Sequence, residues 1–281
     1  MTDFFSNREL SIIFWVTTIL ILTLLNKNFR NSFIKLVQTF FNSVFGMFLW
    51  MIIYLEIVIL LLTLIGFWDR FLIKDSVLWA LFVGFPLLMK SHKINSEKSY
   101  LRTILKQSLK GIIIIEFIAN FYSFSLVAEL IIIPIMTFIG LSDIFIKDKP
   151  EYKQIDKLFK NLTAIFGFIV LGYTIYRISN EFGEFANVNT LKAFTLPIIL
   201  TLLFLPYLYF VALWSLYQVM NIRMGTQLKK SSHKRYLKIK LFKAFKINRK
   251  KLREFQSHLG FDSIIDKKDI RNSIEGFEKD R

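Results

Sequence analysis

Long runs of apolar residues alternate with short lysine-rich segments along this chain. The runs that carry few or no charges cover residues 10–25, 47–67, 71–89, 162–176 and 193–220. Their lengths approach the roughly 20 helical residues that one crossing of the hydrocarbon core of a bilayer requires. Backbone groups in lipid must form their hydrogen bonds within the segment, so each run is predicted to be a helix. The pattern therefore predicts an all-α, polytopic transmembrane helix bundle.

One apolar block, residues 111–146, is too long for a single crossing. As one helix it would extend about 54 Å, whereas the hydrocarbon core is roughly 30 Å thick. The polar and aromatic stretch from Asn120 to Ser125 interrupts the block. We therefore predict a helical hairpin, whose first arm borrows part of the amphipathic stretch 101–110 to reach full length. The bundle then has about seven spans, with six as the alternative.

Basic residues are unevenly distributed between the segments that separate the spans. With the N-terminus outside, the inside segments are 26–46, 90–110, 147–161 and 221–281, and they hold 32 of the 37 Lys and Arg residues. The remaining five are Arg8, Arg70, Lys74, Arg177 and Lys192. A single helix over 111–146 would separate two lysine-rich segments, against the positive-inside rule. We predict an N-out, C-in topology in the plasma (inner) membrane, with a cytoplasmic C-terminal tail.

The formal net charge of +16 is localised largely in that tail. We divide the chain into a transmembrane helix bundle, residues 1–220, and a basic cytoplasmic tail, residues 221–281. From Arg223 to Arg253 there are 13 basic residues and no acidic one. Such a segment is suited to the anionic headgroups of phospholipids on the inner leaflet.

Residues 234–255 are predicted to form a basic amphipathic helix along the membrane surface. Its apolar face, which would enter the headgroup boundary, comprises Leu237, Leu241, Ala244, Phe245, Leu252 and Phe255. Its candidate docking residues are Lys234, Arg235, Lys238, Lys240, Lys243, Lys246, Arg249, Lys250, Lys251 and Arg253. Docking of an acidic partner or self-association is the alternative. Nucleic acid is disfavoured, since no module that reads it is recognisable.

A second short amphipathic helix is predicted beyond Gly260. Its apolar residues would be Phe261, Ile264, Ile265, Ile270 and Ile274. This distal part of the tail, unlike the segment before it, mixes acidic and basic residues.

Three carboxylates, Glu56, Glu116 and Glu129, fall within predicted spans. An ionisable group at bilayer depth costs roughly 2.5–3.5 kcal/mol on insertion scales, so each is a candidate functional residue. In the hairpin, Glu116 and Glu129 lie at similar depth and could share a proton or bind a cation, with Asn120 nearby. No cationic partner is expected for them, because the spans contain no suitable Lys or Arg. The alternative is a protonated glutamate that hydrogen-bonds between helices.

Four prolines also lie within predicted spans, and three of them are candidates for kinked helices: Pro134, Pro197 and Pro206. Proline frees a backbone carbonyl and kinks a helix, and broken helices line many transport sites. The last span, with Pro197 and Pro206, is therefore the candidate for a bent helix that lines a cavity. A kink that only improves packing is the alternative.

Residues for catalysis or cofactor binding are scarce. There is no cysteine, and His92, His233 and His258 lie in lysine-rich surroundings, so neither a metal nor a cofactor is expected. No nucleotide-binding or hydrolase motif occurs, which disfavours an enzyme without deciding the matter. The sequence favours a transport or pore role that uses the intramembrane carboxylates. The alternative is a non-catalytic scaffold or effector whose basic tail docks to anionic lipid or an acidic partner, and homo-oligomerisation stays open.

Overall fold

The structure is a computed structural model that describes residues 5–97, 99–110, 112–146, 149–226, 228, 230–259 and 265–279. All regular secondary structure in these ranges is helical. The 13 helices described are α1 (Asn7–Leu24), α2 (Lys27–Leu64), α3 (Arg70–Met89), α4 (Lys93–Ser96), α5 (Tyr100–Ser108), α6 (Ile112–Phe121), α7 (Leu126–Ile146), α8 (Pro150–Asn180), α9 (Phe182–Phe185), α10 (Val188–Gly225), α11 (Ser231–Phe245), α12 (Arg249–His258) and α13 (Lys267–Lys279).

Six of the described helices are long and apolar enough to cross a membrane: α1, α2, α3, α7, α8 and α10. Five of them cover all or most of the five charge-poor runs, and the sixth is the second arm of the predicted hairpin. The prediction of an all-helical protein with several helices that could span a membrane is therefore confirmed. Two of these helices, α2 and α3, include a single π-helical turn, at Phe40–Val44 and Ala80–Gly84 respectively.

The apolar block 111–146 is divided at its polar stretch. Helix α6 ends at Phe121 and α7 begins at Leu126. Helix α7 has 21 residues and so extends about 31 Å, but α6 has only 10 residues and extends about 15 Å. The expected extension of the first arm through 101–110 is wrong, because α5 is a separate helix that ends at Ser108. Helix lengths in the described ranges thus match six full crossings and one half-length arm.

The chain forms two compact units. Unit 1 comprises Met1–Ile52 and Lys110–Thr195, and unit 2 comprises Ile53–Leu109 and Leu196–Arg281. In unit 1, α7 packs against both α1 and α8, and α6 packs against α8. Asn7 Nδ2 donates to the Phe124 carbonyl oxygen over 2.9 Å, and Trp15 Nε1 donates to the Leu130 carbonyl oxygen over 2.9 Å. Helices α1 and α7 therefore run in the same direction from a common end.

Unit 2 contains an apolar core that joins the end of α10 to the tail helices α11, α12 and α13. Its buried members are Leu213, Leu216, Met220, Met224, Leu228, Leu237, Leu241, Phe245, Leu252, Phe255, Ile270, Ile274 and Phe277. Ring contacts within it include the stacked pair Phe245 and Phe255, whose centroids are 4.8 Å apart. The tail is thus a folded helical cluster around the last turns of α10.

The predicted single helix over residues 234–255 is wrong, because the chain turns sharply inside it. Helix α11 ends at Phe245, Lys246 has a φ of 46°, and α12 begins at Arg249. Asn248 caps α12, since its Oδ1 accepts from the Lys251 backbone N–H over 2.9 Å. The turn lets the apolar residues of α11 and α12 face the same core.

The second amphipathic helix of the tail begins later than the sequence predicts. It is α13, whose Ile270 and Ile274 are buried in the core of unit 2, while Ile265 precedes it and is exposed. Gly260, Phe261 and Ile264 lie outside the described residues.

The prolines within the long helices do not interrupt them. Helix α7 is continuous through Pro134, and α10 is continuous through Pro197 and Pro206. In unit 2, Trp79 Nε1 donates to Thr201 Oγ1 over 3.0 Å, and Thr201 Oγ1 donates to the Pro197 carbonyl oxygen over 2.7 Å. A side chain of α3 thus bonds the Thr201 hydroxyl, and Thr201 in turn bonds back to the Pro197 carbonyl within α10.

Candidate functional site

A cavity of about 760 Å³ lies in unit 1 between α1, α6, α7 and α8. Most of its wall is apolar, from Ile12, Val16, Ile19, Ile115, Ala119, Ile132, Ile133, Met136, Phe166, Gly167, Val170 and Leu171. The polar or charged lining residues are Arg8, Trp15, Glu116, Asn120, Glu129 and Thr137. A cavity of roughly 300–1,000 Å³ with apolar walls and a few polar groups is typical of small-molecule sites.

Two of the charged residues, Arg8 and Glu129, lie in the first turns of α1 and α7, at the end that these helices share. Ser6 caps α1: its hydroxyl accepts from the Glu9 N–H, and the Glu9 carboxylate accepts from the Ser6 N–H over 2.8 Å. This capping box defines where α1 begins and so places Arg8 in its first turn. Glu129 lies in the first turn of α7, where a carboxylate also interacts favourably with the helix dipole.

Arg8 and Glu129 form an ion pair in this cavity. Arg8 Nε lies 3.2 Å from Oε1 and 3.4 Å from Oε2 of Glu129. Arg8 Nη1 also donates to Oδ1 of Asn120 over 2.8 Å, and Oε1 of Glu129 accepts from the Phe124 N–H over 3.0 Å. Glu129 is only 1% exposed. Both of its carboxylate oxygens have partners inside the protein, because Oε1 contacts Arg8 and the Phe124 N–H and Oε2 contacts Arg8.

The expectation that the intramembrane carboxylates lack a cationic partner is therefore wrong for Glu129. Its partner, Arg8, precedes the first apolar run and is 121 positions away in the sequence. The sequence feature that pointed to Arg8 was that it is one of only five basic residues in the predicted outside segments. Sequence spacing alone does not show that it reaches α7.

Glu116 lines the same cavity from α6, and its carboxylate forms no ion pair with a described residue. Its backbone carbonyl accepts from Asn120 Nδ2 over 2.8 Å, whereas its exposed carboxylate has no partner among the described residues. The structure thus brings together Glu116, Asn120 and Glu129, three of the predicted candidates, and adds Arg8. With one arginine and two glutamates, the lining carries one formal negative charge in excess.

The other intramembrane candidates lie elsewhere. Glu56 is exposed on the part of α2 that belongs to unit 2. Pro134 is on α7 but is not among the residues that line the cavity. Within the described residues, α10 contributes no side chain to this cavity, so Pro197 and Pro206 do not shape its wall.

Four of the ten basic docking candidates make contacts within unit 2. Arg249 donates to the Ile94 carbonyl oxygen, and burial lowers the pKa of its guanidinium. Arg253 Nη2 donates to the Ser96 carbonyl oxygen over 3.3 Å, Lys251 Nζ lies 2.8 Å from a Glu278 carboxylate oxygen, and Lys240 lies over the ring of Tyr236. The other six are exposed without a side-chain partner in the described ranges: Lys234, Arg235, Lys238, Lys243, Lys246 and Lys250.

The apolar face predicted to enter the membrane surface is not available for that role. Leu237, Leu241, Phe245, Leu252 and Phe255 are all buried in the core of unit 2. The six exposed basic side chains, named here the free basic set, therefore lie outside a folded core.

No family model matches the chain, and no curated protein or solved structure matches it. The cavity is therefore interpreted from its own chemistry: apolar walls, one satisfied ion pair and one carboxylate without a partner among the described residues.

Proposed function

We propose that this protein transports a cationic solute with an apolar body, and that Glu116 is the counter-ion for that solute. The observation that carries the proposal is the difference between the two carboxylates of one cavity. Glu129 is balanced by Arg8 at 3.2 Å, whereas the Glu116 carboxylate has no partner among the described residues. An unbalanced carboxylate next to apolar walls is stabilised by a cation or a proton.

The size of the cavity favours an organic cation over a bare ion. About 760 Å³ is far more than a metal ion occupies and falls within the range of small organic ligands. The aromatic rings of Trp15 and Phe166 are part of the wall, and such rings attract organic cations through their π faces. When the cavity is empty, a proton on Glu116 would balance its charge, so the protein would exchange the cation for a proton.

We further propose an N-out, C-in threading through the inner membrane, which leaves the tail cytoplasmic. The contacts of unit 1 support part of it, because they bring three predicted outside segments to one end. Arg8 pairs with Glu129 just after the 122–125 segment, and the Arg177 guanidinium lies 5.1 Å from the ring centroid of Tyr122. The lysine-rich segment 147–161 then belongs to the opposite end, as the positive-inside rule requires.

In this threading the chain crosses a seventh time through the segment that carries α6. The helix spans only about half the core. Backbone that is not helical is tolerated at membrane depth where it lines a cavity. Helix α6 contributes Ile115, Glu116, Ala119 and Asn120 to the cavity wall, so this segment lies beside the cavity.

Uptake by proteoliposomes tests the transport proposal. The purified full-length chain is reconstituted in liposomes that contain trapped DNA, and ethidium entry is followed by its fluorescence. We expect the wild type to accelerate entry and Glu116→Gln to reduce it at least tenfold. Glu56→Gln is the matched control, because Glu56 is the same residue type on an apolar helix outside the cavity, and it should transport like the wild type.

Two results would reject the transport proposal. One is an ethidium entry rate no greater than that of liposomes without protein. The other is an equal rate for the wild type and Glu116→Gln.

A second candidate function is a non-catalytic scaffold whose tail docks an acidic partner. The free basic set favours it, because six exposed cations without intramolecular partners in the described ranges remain open to other molecules. Deleting the tail is a poor test, since the tail helices share a core with α10. Replacing all six by Gln leaves that core intact. The scaffold proposal expects labelled polyglutamate to bind the detergent-solubilised wild type and not the sixfold variant; equal binding by both rejects it.

A further inference from the structure

The turn between α11 and α12 presents apolar side chains on its outer surface. Phe242 is 60% exposed and Ile247 is 55% exposed, and Ile239 is also exposed one turn earlier. In α11, Arg235, Ile239 and Phe242 are spaced four and three residues apart, which places them on one face of a helix. At about 100° per residue, the centre of this face lies about 130° around α11 from the buried face that contains Leu237, Leu241 and Phe245, which is part of the core.

Basic residues surround these exposed apolar side chains. They are Lys238, Lys243, Lys246 and Lys250, all exposed members of the free basic set. We name these four lysines together with Ile239, Phe242 and Ile247 the tail-turn surface. Because the segment from Arg223 to Arg253 has no Asp or Glu, no acidic residue of that segment offsets their charge. Exposed apolar side chains among lysines are typical of surfaces that bind anionic membranes.

Two tyrosines of α10 hold this turn in place. The Tyr209 hydroxyl donates to the Ile247 carbonyl oxygen over 2.7 Å, and the Tyr217 hydroxyl donates to the Lys246 carbonyl oxygen over 2.7 Å. The Arg249 guanidinium also lies 5.8 Å from the ring centroid of Tyr209. The position of the turn along α10 is therefore set by hydrogen bonds to its backbone.

That position corresponds to the edge of the bilayer if α10 crosses it. The charge-free run of α10 begins after Lys192. A crossing of roughly 30 Å takes about 20 residues and so ends near residue 212. Tyr209 and Tyr217 lie on either side of that point, where tyrosines are enriched at membrane interfaces. The turn would thus lie at the level of the lipid headgroups.

We propose that the tail-turn surface is a binding site for anionic phospholipid headgroups. Phe242 and Ile247 enter the boundary between headgroups and acyl chains, and the lysines contact the phosphates. This inference rests on the threading of α10 proposed above. It assigns membrane contact to a different face of α11 from the one that amphipathic spacing predicts, because that predicted face is already buried against α10, α12 and α13.

Site-directed labelling of the full chain tests the proposal, and the natural absence of cysteine makes each label unique. An environment-sensitive fluorophore is attached to Ile247→Cys in lipid nanodiscs, and its quenching by lipids spin-labelled at the headgroup is measured. Ile265→Cys is the matched control, because it is also an exposed isoleucine of the tail but lies outside the tail-turn surface. Discs of neutral lipid are compared with discs that contain phosphatidylglycerol.

We expect strong quenching at position 247 and little at position 265. The quenching at 247 should be greater in anionic than in neutral discs. The triple substitution Lys243→Gln, Lys246→Gln and Lys250→Gln in the labelled chain should abolish that difference between lipids. Equal, weak quenching at 247 and 265 in both kinds of disc overturns the proposal. The proposal is also overturned if the label at 247 stays accessible to water in anionic discs and becomes protected only when an acidic polypeptide is added.

A third label separates this proposal from the threading on which it depends. Phe210 is exposed on α10, and Phe210→Cys should be quenched by lipids spin-labelled within the acyl chain. If 210 is quenched and 247 is not, the headgroup site is rejected while the crossing of α10 stands. If neither is quenched, the threading itself fails.

Discussion

Arg8 and Glu129 join the first turns of α1 and α7 through a contact of 3.2 Å between Nε and Oε1. The side chain of Glu129 is 2% exposed and that of Arg8 is 21% exposed. Each charge therefore depends on the other, and on Asn120 and the Phe124 N–H, for its solvation. The pair determines that α1 and α7 start at the same end of unit 1, and it leaves Glu116 without a cation among the described residues.

Replacing Arg8 alone should destabilise the protein. Removing one partner of a buried ion pair leaves the other charge unpaired, at a cost of about 3–5 kcal/mol. Because Arg8 is partly exposed, we expect Arg8→Gln to lower the free energy of unfolding by about 3 kcal/mol in detergent, measured by denaturant titration and circular dichroism. The double variant Arg8→Gln, Glu129→Gln should recover most of the loss. Glu116→Gln is the control and should change stability by less than about 0.5 kcal/mol.

Glycine at position 246 should stabilise the tail. Lys246 has φ 46° and ψ −124°, a backbone conformation that L side chains rarely adopt and that glycine adopts freely. We expect Lys246→Gly to raise the free energy of unfolding by about 1 kcal/mol. Lys238→Gly should instead lower the free energy of unfolding. That exposed position lies inside α11, and glycine costs about 1 kcal/mol in a helix interior. Equal effects of the two substitutions would show that the turn does not hold this conformation.

Truncating Phe255 should unfold the tail cluster. Phe255 is fully buried and contacts the rings of Phe245 and Phe277 at centroid distances of 4.8 Å and 5.2 Å. Removing such a ring costs about 3–5 kcal/mol. Phe255→Ala should therefore increase the hydrogen exchange of α11–α13 and their cleavage by trypsin. Phe242→Ala serves as the control, since that ring is 60% exposed, and cleavage should stay near the wild-type rate.

Removing the Thr201 hydroxyl should leave the Trp79 indole unsatisfied. Both residues are buried in unit 2, and Thr201 Oγ1 accepts from Trp79 Nε1. An unpaired buried donor costs about 1–3 kcal/mol. We expect Thr201→Val to lower the free energy of unfolding by that amount. In contrast, Thr195→Val should be nearly neutral, because the Thr195 hydroxyl donates only to carbonyls of its own helix. A neutral Thr201→Val would mean that the indole finds another acceptor.

The helical spans could be predicted because their hydrogen bonds are local. A run of about 20 apolar residues must satisfy its own backbone in lipid, so its composition and length are enough to identify it. The break between Asn120 and Ser125 was recognisable for the same reason, as polar residues that interrupt an overlong run. The length of α6 could not be recognised, because nothing in the apolar sequence before Asn120 distinguishes a half-length helix from a full one.

The candidate site was predicted only in part. Their similar distances from the predicted hairpin turn indicated that Glu116 and Glu129 would lie at similar depth, and both line one cavity. The cation that balances Glu129 could not be deduced, since Arg8 reaches it across 121 positions of sequence through the packing of α1 on α7. Long-range pairs of this kind depend on which helices become neighbours.

The sequence by itself determined the class of this protein: an all-helical chain with several apolar helices that could span a membrane and a basic C-terminal segment. Composition and run length decide these features, because a bilayer imposes its thickness and its lack of hydrogen-bonding partners on each segment separately. Only the tertiary structure decided what covers the apolar face of the tail and which carboxylate is neutralised. An amphipathic face binds whatever apolar surface is closest. For the tail that surface is the end of α10, so Phe242 and Ile247 are left outside.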